Sequence, residues 1–235
     1  MFRSPLGQKE KFIMKSMATI GSIALICGIA QASPFLGATL EVVNIGDQGT
    51  TYRLFAQLEA GARIDAVYGN SQSELRFSPR EGRSFYQNAN GGPTSKEINS
   101  NFFPFVPSME WDSYVSIGAY YQNGAPFGEN NLNNIGINWA SFEGGGDLVT
   151  DNGSWFVTPD DAQGNELNGE VFLGQFTIQG SNGDFYDDMD IQFNIQGKDA
   201  DGATWNALGV GWIPSPGALA VLGLAGVAGR RRTRH

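Results

Sequence analysis

Four aspartates crowd one short stretch of this chain, at Asp184, Asp187, Asp188 and Asp190. Like charges this close repel unless water or a cation neutralises them, and a calcium ion takes six to eight oxygens from carboxylates, carbonyls and water. Asp199 and Asp201, just before Gly202, add a second acidic turn. That turn lacks the twelfth-position glutamate of an EF-hand loop and suits a β-hairpin, where Asp-Gly is favoured. The six aspartates are the calcium candidates, and a solvated acidic rim is the competing reading. Asp160 and Asp161, after Pro159, begin a loop or add to coordination. Paired acids also serve glycoside hydrolysis, one as acid and one as nucleophile or base. Glu110, Glu143, Glu166 and Glu170 supply the residue type, but no spacing among them selects a pair.

Aromatic side chains offer different chemistry, because a ring face packs against the apolar face of a pyranose. Trp111, Trp139, Trp155, Trp205 and Trp212 suit the interior of a sandwich better than a sugar platform. Trp139 follows Ile135 and Ile137 in alternation, which predicts an interior position. Tyr120 and Tyr121, at a strand end beside Gln122 and Asn123, are the better candidates for exposed ligand contact. Asn152-Gly153-Ser154 matches a glycosylation sequon, but Asn-Gly is more simply a turn.

The elements holding these residues have a period of two. Tyr52, Leu54, Ala56 and Leu58 share one face of a strand, while Arg53, Phe55 and Gln57 share the other. Only Phe55 is out of character on the polar face. Comparable patterns cover 38–44, 64–68, 74–77, 113–121, 134–140, 154–157, 171–179, 191–196 and 204–210, separated by Gly-, Asn- and Asp-rich turns. Ser95–Phe105 reads as a helical turn before Pro104 and Pro107. About ten strands with little helix predict an all-β fold. The expected form is a two-sheet antiparallel β-sandwich, jelly-roll or cohesin-like, the latter by fold analogy alone. Glycine supports this: 32 in 235 residues is about twice the usual share.

Both ends of the chain read as addresses. Residues 1–32 form a signal peptide, with Lys9, Lys11 and Lys15 ahead of an apolar run from Met17 to Ile29. Ala30 and Ala32 supply the small-x-small pattern for signal peptidase, making Ser33 the new N-terminus. Residues 212–235 form the second address. Pro214, Ser215 and Pro216 precede an uncharged run from Gly217 to Gly229, and Arg230, Arg231, Arg232 and Arg234 close the chain. An apolar helix stopped by arginines inserts with its basic end on the cytoplasmic side. The sandwich domain, 33–211, is thus expected to be flanked by an N-terminal signal helix and a C-terminal apolar transmembrane helix.

That domain keeps seven basic and 23 acidic residues, a formal charge of −16, and neither histidine nor cysteine, since Cys27 and His235 lie in the addresses. Its charge repels nucleic acid. Without imidazole or thiol, Ser-His-Asp and Cys-His catalysis and the usual zinc sites have no ligands or base. The expected activity is therefore non-catalytic.

The tail resembles the PEP-CTERM sorting signal of Gram-negative bacteria in its prolines, apolar run and arginine cluster, with Ser215 standing where the family carries an acidic residue. Segments 51–70, 84–99 and 108–118 also resemble stretches of uncharacterised secreted bacterial proteins with sorting tails. The tail's resemblance implies transient residence in the inner membrane and cleavage by an exosortase-like membrane protease. Secretion or cell-surface attachment would follow, in a Gram-negative-type bacterium. The function expected on this basis is adhesion or contact with the extracellular matrix, with polysaccharide or surface proteins as partners. A carbohydrate-binding module and a carboxylate-based glycan hydrolase are the alternatives.

Overall fold

A computed structural model describes residues 33–211. The signal-cleavage residues Ala30 and Ala32, the sorting residues 214–216 and 230–234, and Cys27, Trp212 and His235 lie outside the described residues. Ser33 is exposed and leads directly into the first strand.

Two antiparallel sheets pack face to face, as an all-β sandwich. In the first, β1 (Phe35–Gly46), β2 (Gly49–Leu58), β10 (Glu170–Gln179) and β5 (Ser84–Phe85) lie in that order, and β6 (Tyr114–Val115) also pairs with β10. The second runs β7 (Asn133–Ile135), β9 (Ser154–Phe156), β3 (Arg63–Tyr68), β11 (Met189–Lys198), β4 (Leu75–Pro79) and β8 (Leu148–Thr150), with β12 (Thr204–Gly211) also on β11. Two one-turn helices, α1 (Ala140–Glu143) and α2 (Phe185–Asp188), and three short 3-10 turns lie in the connections. Among the described residues no helix is long and apolar enough to cross a membrane.

The alternation in β2 folds as its pattern requires. Tyr52, Leu54, Ala56 and Leu58 lie beside Val171, Leu173, Phe176 and Ile178 of β10 on the face that forms one inter-sheet core. The second sheet contributes Ile64, Val67, Leu75, Phe77, Ile191, Phe193 and Ile195. Phe77 sits at the centre, its ring 4.8 Å from Phe176, 5.8 Å from Phe193 and 6.0 Å from Trp155. Gly49 is where the β1–β2 hairpin meets β10. Its φ is +123°, and a Cβ there would lie 2.1 Å from the Ile178 carbonyl, so no larger residue fits.

β3 and β4 share one flank of β11, leaving a break between them that the buried Asn194 closes. Its Nδ2 donates to the carbonyls of Tyr68 and Ser73, and its Oδ1 accepts from Gly209 N. The two sheets are also tied through Asp188, which is fully buried. Its carboxylate accepts from Tyr52 Oη of β2 at 2.6 Å, from Arg83 Nε at 2.7 Å, and from Ser181 Oγ. Burial, then the bond to Asp188, pushes the Tyr52 phenol pKa upward.

Two expected strands are altered. The 113–121 strand is reduced to β6 because Gly118, at φ +70°, turns the chain away; Ser116 and Gly118 still donate singly to the Leu173 and Phe172 carbonyls. The 134–140 strand ends at Ile135, since Gly136 is left-handed and α1 follows, so Ile135 is exposed. Trp139 is half-buried, packed against Phe142 and bonded through Nε1 to Asn134. β8 has no counterpart in the alternation pattern. The turn expected in 95–105 forms as a 3-10 turn at Ser100–Phe102, capped by Asn99.

Phe77→Ala should lower unfolding free energy by about 3–5 kcal/mol, the usual cost of deleting a core phenylalanine ring. Phe105→Ala, at a side chain 81% exposed, should change it by less than about 0.5 kcal/mol. Urea unfolding followed by tryptophan fluorescence measures both.

Candidate functional site

The face of β2 that points away from the core carries a ladder of cross-strand pairs with β10. Thr51 faces Thr177, Arg53 faces Gln175, Phe55 faces Phe172, and Gln57 faces Glu170. A bulge at Phe172/Gly174 makes this possible, because the extra residue lets Phe172 and Gln175 both point outward while Leu173 and Phe176 point into the core. Each pair is joined in kind. The threonine hydroxyls lie 2.8 Å apart, Arg53 Nε donates to Gln175 Oε1 at 3.0 Å, and Gln57 Nε2 donates to Glu170 Oε1 at 2.8 Å. The two phenylalanine rings meet at 5.6 Å.

Phe55 and Phe172 would be exposed on an uncovered sheet. Residues 86–132 cover them and form a second apolar cluster with Ile98 and Tyr114, against which Phe103, Tyr120 and Tyr121 pack. Asp112 holds this excursion in shape. Its buried carboxylate accepts from the backbone N–H groups of Asn88 (2.7 Å), Ser113 (3.0 Å) and Gly92 (3.2 Å). Gln175 Nε2 donates to the Glu110 and Asp112 carbonyls, tying the excursion to the ladder.

Where the cover ends, a cavity of about 190 Å³ opens beside Tyr120. Buried Phe55 and Phe172 line it together with Tyr120, Pro126 and Phe127, and its polar lining is Asn165, Asn168 and Glu170. Gly118 and Leu167 complete it. Asn168 and Gly169, both left-handed at φ +57° and +85°, make the tight turn from Leu167 to Glu170 that presents these groups. Glu166 fixes that turn, accepting from Gly169 N and from Gly61 N.

Tyr120 lies 4.6 Å from Phe172, with the Arg53 guanidinium 5.1 Å from its ring centre. Arg53 Nη2 also donates to Tyr121 Oη. Burial raises the Tyr120 phenol pKa while Arg53 lowers it, and the charges of Glu170 and Glu41 raise it further. Tyr114, wholly buried in the cluster, has no hydrogen-bond partner for its hydroxyl among the described residues.

Of the residues singled out by sequence, Tyr120 lines the cavity and Tyr121 braces it through Arg53 and Phe103. Glu170, one of four acids considered for hydrolysis, lines it too; Glu110, Glu143 and Glu166 do not. Five of the six calcium candidates are engaged separately, and Asp201 enters only through its backbone N–H. Asp184 caps α2 by accepting from Tyr186 N, Asp187 accepts from Asn182, Asp188 holds Tyr52 and Arg83, and Asp190 pairs with Arg80 at 2.7 Å. Asp199 closes the β11–β12 hairpin by accepting from the N–H groups of Asp201 and Ala203. Among the described residues no group of three or more carboxylates gathers to hold a metal ion. Sequence reasoning missed Phe127, Asn165 and Asn168. The available signals were the outward Phe55 and the Asn168-Gly169 pair, a favoured hairpin turn.

No family model, curated protein or solved structure matches the chain.

Burial pushes the Asp112 pKa from 3.8 up to about 7, against the pull of its three N–H donors. Below the unfolded value the group is neutral in both states. Between the two values the folded state holds the extra proton, so rising pH favours unfolding until the folded group has ionised above about pH 7. Relative to Asp112→Asn, the wild type should lose up to a few kcal/mol of stability between about pH 4 and 8. Urea unfolding of both proteins across that range gives the difference. A constant offset, reflecting only the amide's poorer fit to three donors, would show that Asp112 does not titrate.

Proposed function

We propose that this protein is an exported, non-catalytic β-sandwich that makes contact with the extracellular matrix by binding glycan at the Tyr120–Glu170 cavity. The observation that carries the reading is the composition of the cavity: an apolar aromatic lining with amides and one carboxylate around it. Such a mixture suits a pyranose, whose C–H face seeks an aromatic or apolar wall while its hydroxyls seek fixed polar partners. The lining contains a single carboxylate, Glu170, whereas hydrolysis by paired acids needs two converging on one bond. Binding is therefore favoured over cleavage.

Delivery is proposed to follow the terminal signals. Signal peptidase frees Ser33, the apolar tail pauses in the inner membrane, and an exosortase-like protease cuts near Pro214–Pro216. The acidic surface then keeps the protein soluble and away from anionic polymers.

A glycan array probed with the exported protein should identify ligands, and Phe127→Ala should weaken them by about tenfold or more, the equivalent of ~1.4 kcal/mol. Absence of any bound glycan would overturn the binding assignment. Mass spectrometry of the exported protein should find Ser33 at the N-terminus and the arginine cluster removed; an intact Arg230–His235 end would overturn the processing assignment.

A further inference from the structure

We propose that the cavity selects glycans carrying free primary amines, such as deacetylated hexosamine units, over neutral and acidic ones. This rests on the glycan-binding reading above and adds the charge of the ligand. Among the described residues, Glu170 is the only charged side chain lining the cavity. Its Oε1 accepts from Gln57, whose Nε2 also donates to Thr39 Oγ1, while Oε2 has no hydrogen bond among the described residues. A half-buried carboxylate oxygen beside an apolar wall gains most from a cationic donor, because a charge-assisted bond is about twice as strong as a neutral one.

The nearby acidic charge points the same way, while the positive Arg53, which opposes it, is turned to other partners. Arg53 is the basic residue on this face of β2, and its groups are already engaged. Nε bonds Gln175, Nη2 bonds Tyr121, and the guanidinium sits over Tyr120. Across the ladder, Glu41 of β1 is registered opposite Arg53 and exposed, adding a second negative charge at the edge of the site. At longer range, the formal charge of −16 on residues 33–211 repels uronate and sulfate while attracting ammonium. Phe55, Phe172, Pro126 and Phe127 provide for the ring, and Glu170 Oε2 for its amine.

The test compares β-1,4-linked glucosamine oligomers, their N-acetylated counterparts and galacturonate oligomers of equal length, by calorimetry on the exported protein. At about pH 6, where a sugar amine is protonated, the glucosamine oligomer should bind about tenfold more tightly than the acetylated one, and the uronate should not bind. The preference should shrink with added salt, and in Glu170→Gln the ratio of the two affinities should fall to about one. Equal wild-type affinities would overturn the amine assignment while leaving glycan binding intact. No binding of any oligomer would overturn both. An amine preference that persists in both Glu170→Gln and Phe127→Ala would reflect general attraction of polycations to an acidic protein, and would overturn it too. So would tight binding of an oligolysine peptide with none of the glucosamine oligomer, since the site would then read protein amines.

Discussion

Phe55 and Phe172 lie opposite each other on the face of the β2–β10 pair that turns away from the inter-sheet core. Leaving such a pair in water would forgo roughly 1.5–3 kcal/mol per ring, so the sheet needs a second cover. The long excursion between β5 and β7 supplies it, placing Ile98, Tyr114, Phe103, Tyr120 and Tyr121 over the rings. The cavity opens beside Gly118 of this cover, where the chain turns left-handed and a Cβ would strike the Gln163 carbonyl. One hydrophobic pair facing outward thus decides where the excursion packs and where it leaves an opening.

Covering a sheet with irregular chain buries many backbone groups that no strand partner satisfies, and side chains answer that need. Asp112 takes three N–H groups, and Gln175 donates to two carbonyls. Gln163, wholly buried, donates to the Ile117 carbonyl and accepts from Asn131 N. Trp155 Nε1 donates to the Ser116 carbonyl, so a tryptophan of the second sheet reaches through the core to hold the segment after β6. These amides and carboxylates do here what strand ladders do elsewhere. They give the loop one geometry, which a binding surface on irregular backbone requires.

Acidic residues divide between structure and surface in the same manner. Asp188 lies at zero exposure because Arg83, Tyr52 and Ser181 together satisfy it, and Asp65 is buried against Arg63 at 2.6 Å. Removing one partner from such a pair leaves an uncompensated buried charge, which makes these acids integral to the sandwich. Glu170 differs in keeping one oxygen without a protein partner among the described residues, at the wall of a cavity. The distinction is one of environment, since the side chains are of the same chemical kind.

Sequence alone determined the all-β class, the strand β2 almost to the residue, the hairpin at Asp199–Gly202 and the acidity of the domain. Each is a local property: alternation of period two, turn chemistry and composition act within a few residues of themselves. Phe55 already stood out against the alternation. Tertiary structure decided what it meant, because its partner Phe172 lies more than a hundred residues away and is brought opposite only by the β2–β10 pairing. The same holds for the aspartates. Their crowding in sequence suggested a shared cation, but α2 and β11 send neighbouring carboxylates in different directions, toward Arg80, Arg83 and backbone amides. Spacing fixes which residues are close along the chain, whereas the sheet register and the packing of the excursion fix which are close in space, and the candidate site depends on the second.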